Sequence, residues 1–232
     1  MNPVPIVLIP GLLCTPRLFA DQLPALWRSG PVTVASHRDD DSVAAAASRI
    51  LATAPPRFAL AGLSMGGYLA FEIMRQAADR VQRLALLNTS PYPDAPERAK
   101  ARQGQLAMTA DGRFAEVVDH LANQWLSAGR RGDPALLRVI RQMAGDTGTE
   151  AFARQQQAIM SRPDSRPGLA AIGCPTLVLA GEADEVTVPE HAREMAAGIP
   201  GAHLVVLPGC GHLSTLEQPT AVTHALVDWL TA

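Results

Sequence analysis

The chain has 232 residues, a length typical of one large domain, and 47% of them are hydrophobic. Its formal net charge of −2 at pH 7 gives no basis for binding nucleic acid or an anionic membrane surface. No apolar run approaches the roughly 18 residues of a membrane span, and residues 6–9 form too short a run for the core of a secretion signal. These features predict a cytoplasmic globular protein.

The cysteines and histidines show no pattern of a disulfide framework or a metal site. The three cysteines, Cys14, Cys174 and Cys210, cannot all pair and lack Cys-x-x-Cys spacing. The six histidines are scattered without the spacing of metal ligands. We therefore expect reduced thiols, no metal and no cofactor.

Short apolar runs alternate with helical patterns in the first part of the chain. Strands are predicted at residues 4–9, 32–35, 57–61 and 81–88, and helices at residues 18–27, about 42–54 and 68–77. This alternation is typical of a parallel sheet that is covered by helices on both faces. The sequence therefore predicts an α/β fold.

The pattern changes after the fourth strand. Four helical stretches follow one another without a strand, at residues 95–105, 114–128, 134–144 and 150–161. A helical insertion between two sheet strands is best interpreted as a cap over the strand ends. We therefore predict a core of residues 1–91 and 167–232 and a helical cap of residues 92–166.

The last part of the chain returns to strands and helices in alternation. Strands are predicted at residues 175–181 and 203–207, and helices at residues 189–197 and 217–230. With the four earlier strands, they predict a mostly parallel, doubly wound sheet of about six strands.

The motif Gly-Leu-Ser-Met-Gly at residues 62–66 lies between a predicted strand and a predicted helix. The pattern G-x-S-x-G in this context is typical of a nucleophile elbow, where a strand turns directly into a helix. Side chains at Gly62 or Gly66 would collide with the neighbouring backbone. Ser64 would expose its hydroxyl at the helix N-terminus, where negative charge is favoured. The alternative interpretation is a Gly/Ser turn without chemistry.

A serine nucleophile needs a base to accept its proton and an acid to orient that base. Functional loops of open parallel sheets follow the carboxyl ends of the strands. Asp184 follows the fifth strand and His212 the sixth, which predicts the order Ser64, Asp184, His212 that this architecture uses. His37, at the end of the second strand, is the alternative base. Other acidic residues near strand ends are alternatives for the acid: Asp94, Glu182 and Glu185.

Acyl transfer also requires backbone N–H groups that stabilise the negatively charged oxygen of the intermediate. Met65 N–H directly follows the nucleophile and is the first predicted donor. Residues 10–12 follow the first strand and allow a close approach of the backbone, so Leu12 N–H is the second predicted donor. Leu13 N–H is its alternative.

At this point the chain resembles the α/β-hydrolase superfamily over nearly its full length, and the small capped esterases, lactonases and C–C hydrolases most of all. The resemblance rests on four segments: residues 10–14, 62–67, 181–184 and 211–212. It implies a nucleophile, an acid, a base and two oxyanion donors at Ser64, Asp184, His212, Leu12 and Met65.

Two features depart from the family pattern. The loop after the first strand reads Pro10-Gly11, where the family usually has His-Gly. The first strand also begins almost at the first residue, so we expect that the antiparallel pair that often opens this sheet is missing.

The expected activity is hydrolysis of an ester-like bond in a small, fairly apolar substrate through an acyl-enzyme. We expect an apolar pocket that is lined by Leu12, Leu13, Met65, Leu213 and Trp125. The same fold also supports C–C bond hydrolysis, thioester cleavage, lactone opening, acyl transfer and peracid formation, and a non-catalytic ligand receptor is a further alternative. The expected partner is a small-molecule substrate, with neither nucleic acid nor membrane.

Overall fold

The structure is a computed structural model that describes residues 4–231. Its sheet has six strands in the order β2-β1-β3-β4-β5-β6, and every neighbouring pair is parallel. The strands are β1 (Ile6–Ile9), β2 (Val32–Val34), β3 (Phe58–Leu63), β4 (Val81–Leu87), β5 (Thr176–Gly181) and β6 (His203–Leu207). The predicted six-stranded parallel sheet is confirmed.

The helices flank this sheet, and α2 packs against α3 while α1 packs against α9. Their bounds are α1 (Leu23–Ser29), α2 (Val43–Thr53), α3 (Met65–Ala77), α4 (Pro96–Ala110), α5 (Phe114–Trp125), α6 (Pro134–Met160), α7 (Pro189–Gly198), α8 (Ser214–Glu217) and α9 (Pro219–Thr231). Within residues 4–231, none of them is long and apolar enough to cross a bilayer.

Two proline residues explain where predicted helices are divided. The helix predicted at residues 18–27 is a 3-10 turn (Pro16–Phe19) followed by α1, whose first turn contains Pro24. The helix predicted at residues 217–230 is divided into α8 and α9, and Pro219 begins α9. Proline has no N–H to donate within a helix, so it is tolerated in the first turn and not in the interior.

Helices α4, α5 and α6 lie between β4 and β5 in the chain and contact one another. The run α6 consists of two helices joined at Gly148, whose backbone is not helical (φ 80°, ψ 167°), so the predicted break between residues 134–144 and 150–161 is confirmed. The three helices fall inside residues 92–166, and the assignment of that segment as a separate cap domain stays a prediction.

The turn from β3 into α3 depends on close backbone contacts. A Cβ atom at Gly62 would lie 2.2 Å from Gly66 O, and one at Gly66 would lie 2.0 Å from Ile9 O. Ser64 itself adopts φ 56° and ψ −116°, a conformation that residues other than glycine rarely adopt. The predicted need for glycine at both positions is therefore confirmed, and β1 packs directly beneath the turn.

We expect the substitution Gly66→Ala to lower the free energy of unfolding by about 1–3 kcal/mol or more, because backbone atoms must move to make room. The control is Gly104→Ala in α4, where nothing lies within 4 Å of the added Cβ. That substitution should raise stability by about 0.5–1 kcal/mol, since alanine favours a helix interior. Urea unfolding measures both, and a neutral effect of Gly66→Ala would contradict the close packing of this turn.

Candidate active site

Three loops at one edge of the sheet bring the predicted site residues together. Ser64 follows β3, Asp184 follows β5 and His212 follows β6, and the carboxyl ends of parallel strands meet at the same edge. His212 Nε2 lies 2.8 Å from Ser64 Oγ, and His212 Nδ1 lies 2.8 Å from Asp184 Oδ2. The structure therefore joins the three side chains in one continuous chain of hydrogen bonds.

Burial differs along this chain of hydrogen bonds. His212 and Asp184 are 2% and 3% exposed, whereas Ser64 is half-buried and lines a cavity. A carboxylate accepts only, so His212 donates Nδ1–H to Asp184 and is left with Nε2 as acceptor for the Ser64 hydroxyl proton. The arrangement presents a polarised hydroxyl to any molecule in the cavity.

Asp184 is held as a carboxylate by hydrogen bonds on both oxygens. Its Oδ1 accepts from Val186 N–H at 2.8 Å and Thr187 N–H at 2.9 Å, and its Oδ2 accepts from Thr187 Oγ1–H at 2.9 Å. Burial alone would raise the pKa of Asp184. The charge of His212 and the hydrogen bonds from His212, Asn88 and Thr187 outweigh burial and lower this pKa to about 2.

Asn88 is a residue of this site that the sequence analysis did not assign. Its Nδ2 donates to Asp184 Oδ2 at 3.0 Å and to Gly211 O at 3.1 Å, and its Oδ1 accepts from Ser214 Oγ at 2.6 Å. A usable signal existed, because a buried apolar strand that ends in asparagine at the functional edge is unusual. Asn88 adopts φ 43°, a backbone conformation that asparagine tolerates better than most residues.

Glu217 holds the loop that carries His212, and it too was missed. Its carboxylate accepts from Gly211 N–H at 3.1 Å and from Ser127 Oγ at 2.5 Å. The backbone N–H of His212 donates to Trp125 O at 2.8 Å. The loop is therefore fixed against the end of α5 as well as against α8.

The alternative acids and the alternative base are engaged elsewhere. Asp94 pairs with Arg102 and Arg162, Glu185 pairs with Arg131, and Glu182 accepts from Gly209 N–H. His37 is buried and bonded to Pro10 O and Gln155. Within residues 4–231, none of these side chains is hydrogen-bonded to Ser64.

The backbone N–H groups of Leu12 and Met65 have no hydrogen-bond acceptor within residues 4–231. Leu13 N–H, the alternative to Leu12, donates instead to Gln155 Oε1 at 3.1 Å. The loop passes close to the serine, since a Cβ at Gly11 would lie 3.3 Å from Ser64 Cβ. Leu12 and Met65 N–H are therefore among the backbone groups near Ser64 that are free to donate.

A cavity of about 280 Å³ opens at Ser64. Leu12 and Trp125 line it together with Tyr68, Leu121, Ile159 and Val186. Polar and charged side chains also line it: Arg98, Arg102, Gln105, His120, Gln124 and Glu185. Within the described chain, no group of three or more His, Cys, Asp or Glu residues could hold a metal ion.

This lining corrects the expectation of an apolar pocket at three positions. Leu13, Leu213 and Met65 lie in the hydrophobic core, and none of them contributes to the cavity wall. Leu13 has φ 57° and Leu213 precedes α8, and both are nearly fully buried. Proximity in sequence to Leu12 and His212 therefore does not place these side chains in the pocket.

Comparisons with known proteins match this architecture. The model of the alpha/beta hydrolase family matches residues 6–225. A thermophilic esterase from Thermogutta terrifontis, solved with malate bound, is 30% identical with a TM-score of 0.87, over 98% of this chain and 89% of that chain. The enol-lactonase from Burkholderia xenovorans LB400 is 28% identical with a TM-score of 0.90, over 100% of this chain and 93% of that chain.

A further related sequence is also named as an esterase. A pimeloyl acyl-carrier-protein methyl ester esterase from Nitrosomonas europaea is 28% identical over 177 residues, which cover 71% of this chain and 68% of that protein. The enol-lactonase and the methyl ester esterase have different substrates in their names, so similarity alone does not identify the substrate of this chain.

The lowered pKa of Asp184 predicts a loss of stability in acid. A carboxyl group that is more acidic in the folded chain stabilises the fold above its unfolded pKa, near 3.9, and this contribution is lost as pH falls through about 2. Urea unfolding of the wild type should therefore show a falling free energy of unfolding between about pH 4 and about pH 2.

The fall should be smaller in Asp184→Asn, which has no carboxyl group to protonate. The control is Asp228→Asn on α9, which removes the same charge from an exposed position. Equal pH slopes in the wild type and Asp184→Asn would contradict the assignment of an ionised, stabilising Asp184.

Proposed function

Because the chain belongs to the alpha/beta hydrolase family, we propose that it is a serine hydrolase that cleaves an ester-like bond of a small molecule through an acyl-enzyme. The observation that carries the proposal is the unbroken chain of hydrogen bonds from Ser64 through His212 to Asp184. Similar proteins are named as an esterase, an enol-lactonase and a methyl ester esterase, and this supports an ester-like bond as the one that is cleaved.

The proposed reaction begins with attack of Ser64 Oγ on the carbonyl carbon of the substrate. His212 Nε2 takes the hydroxyl proton, and the ionised Asp184 stabilises the resulting imidazolium. The carbonyl oxygen becomes negatively charged next to the free N–H groups of Leu12 and Met65. His212 then returns the proton to the leaving alcohol, which departs as the C–O bond breaks and leaves an acyl group on Ser64.

The second half of the reaction regenerates the enzyme. Water attacks the acyl carbon while His212 accepts its proton, and the same two N–H groups stabilise the second intermediate. The acid product leaves as the bond to Ser64 Oγ breaks and His212 returns the proton to Oγ. Loss of one such backbone donor typically costs about 10²–10³-fold in kcat, so the position of the loop that carries Leu12 is important for the rate.

The wall of the cavity along α4 supports a proposal for the class of substrate. Arg98 and Arg102 are four residues apart on this helix and both line the cavity. Arg102 is engaged by Asp94 and Gln156, whereas Arg98 uses NH1 to donate to Val186 O and has no carboxylate partner within residues 4–231. In place of a fairly apolar substrate, we propose an ester with a carboxylate or similar anionic group that lies against α4.

The proposed location of this activity is the cytoplasm. The cysteines Cys14, Cys174 and Cys210 are unpaired, and free thiols are typical of proteins in a reducing compartment. Burial raises the pKa of the Cys14 and Cys210 thiols to about 12, so these two side chains are poor nucleophiles and serve as packing.

The substitution Ser64→Ala should lower kcat/KM on a p-nitrophenyl ester by at least about 10³-fold, because no other group can form the acyl-enzyme. The matched control is Ser48→Ala, which removes an exposed serine hydroxyl on α2. It should leave kcat/KM unchanged. Full activity of Ser64→Ala in steady-state assays would refute the proposed mechanism.

The substitution Arg98→Gln should lower kcat/KM for the monoester of a dicarboxylic acid by roughly tenfold, because a charge-assisted contact is lost. A neutral ester of the same length should be affected much less. The control is Lys100→Gln, which removes the same charge from an exposed position of α4 outside the cavity lining. It should not change the ratio of kcat/KM for the monoester to kcat/KM for the neutral ester. An Arg98→Gln variant with an unchanged ratio would exclude Arg98 from substrate recognition.

A further inference from the structure

Two buried side chains hold the β1 loop (residues 10–14), which carries the free backbone N–H. His37 Nε2 lies 2.9 Å from Pro10 O, and Leu13 N–H donates to Gln155 Oε1 at 3.1 Å. Gln155 Nε2 and His37 Nδ1 lie 3.1 Å apart. These contacts join the β1 loop, the segment after β2 and helix α6 in one closed set of hydrogen bonds.

The donor of each hydrogen bond follows from the chemistry of its partners. A backbone carbonyl only accepts, so His37 must carry its proton on Nε2 to bond Pro10 O. A backbone N–H only donates, so Gln155 must turn its oxygen toward Leu13. The amide N–H of Gln155 then faces the unprotonated Nδ1 of His37, which accepts. All three hydrogen bonds exist together only when His37 is neutral.

The surroundings keep His37 neutral. His37 and Gln155 are 2% and 0% exposed, and burial lowers the pKa of His37 although the hydrogen bond to the β1 loop opposes this shift. Arg38 beside it and Arg154 on α6 donate to backbone carbonyl groups, and Arg154 also lies 3.9 Å from Glu150. Cys14 of the β1 loop has a pKa raised to about 12 by burial and is uncharged.

The backbone of the β1 loop requires such support. Leu13 has φ 57°, a conformation that costs free energy in a residue with a branched side chain and persists only where neighbours hold it. The backbone N–H of this residue, which directly follows Leu12, donates the hydrogen bond to Gln155 Oε1. Ile159, one turn further along α6, lines the cavity. The same part of α6 therefore contacts both the cavity and the loop.

We propose that Gln155 and His37 are positioning residues that hold the β1 loop so that Leu12 N–H stays directed at the oxygen of a substrate bound to Ser64. The inference rests on the proposed ester hydrolysis and adds to it a role for helix α6. Neither side chain touches the reacting atoms, because both lie behind the loop, hydrogen-bonded to its backbone.

The first test is Gln155→Leu, which leaves Leu13 N–H without its acceptor. We expect kcat for an ester to fall about 10- to 100-fold, which is no more than the loss expected when an oxyanion donor is removed. KM should change by less than about threefold. Affinity for a trifluoromethyl ketone, which resembles the intermediate, should fall by the same factor as kcat. Unchanged kcat and inhibitor affinity in a folded variant would overturn the proposal.

The matched control is Thr147→Val in α6, on the other side of the kink at Gly148. Thr147 is buried and donates to Met143 O, so its replacement removes one buried hydrogen bond of α6 without contacting the β1 loop through its side chain. It should keep kcat within about twofold of the wild type, since the cost is one of stability alone. An equal loss of kcat in Thr147→Val would show that Gln155 acts only through general stability.

A second variant, Gln155→Glu, decides the question if Gln155→Leu does not fold. The introduced carboxylate still accepts from Leu13 N–H, but it requires a proton on both nitrogens of His37. The ratio of kcat/KM between variant and wild type should therefore fall as pH rises and His37 loses its second proton. A pH-independent ratio would contradict the proposal.

Covalent labelling separates this proposal from the proposed function. A fluorophosphonate that fails to label Ser64 in the wild-type protein would contradict the hydrolase assignment itself. Labelled wild type together with Gln155 variants of unchanged kcat would contradict only the positioning role.

Discussion

The site depends on one interaction, the hydrogen bond between the ionised carboxylate of Asp184 and Nδ1–H of His212. It fixes the tautomer of the imidazole, and only that tautomer offers Nε2 to Ser64 as an acceptor. The carboxylate stays ionised in a buried place because Asn88, Thr187 and the backbone after β5 donate to it. Asn88 is in turn fixed by Ser214, so strands β4, β5 and the end of β6 are joined at this point.

Backbone geometry supplies the other half of the site. The β3–α3 turn brings Ser64 to the edge of the sheet only because Gly62 and Gly66 let three segments touch. The β1 loop then passes within contact distance of the serine, and buried His37 holds that loop from behind. His37 thus brings an imidazole to a loop that reads Pro10-Gly11 rather than the usual His-Gly of the family.

Local patterns were sufficient to predict the strands, the family and the turn at Ser64. They also predicted which residues meet at the sheet edge, because in a parallel sheet the strand ends alone determine this position. The sequence did not predict roles in the site for three buried polar residues, Asn88, Glu217 and Gln155. Their contacts depend on how α5, α6 and α8 pack against the strand ends. Buried polar side chains of this kind become interpretable only when their partners are known.

The pocket was the least predictable part for a related reason. Neighbours of functional residues in sequence, such as Leu13 and Leu213, have side chains that turn into the core. The wall is instead provided largely by α4 and α5, and Arg98 and Arg102 give it a polar character. The lining of the cavity therefore comes largely from helices between β4 and β5, whereas the hydrogen-bonded side chains of Ser64, Asp184 and His212 follow strand ends.

Trapping the acyl-enzyme tests the role of Ser64 directly. The protein would be mixed with excess p-nitrophenyl ester, quenched in acid within the first turnover and analysed by intact mass and peptide mapping. We expect a single adduct with the mass of the acyl group, located on Ser64 and absent when His212 is replaced by alanine. Turnover without any adduct on Ser64, or with the adduct on another residue, would contradict this role of Ser64.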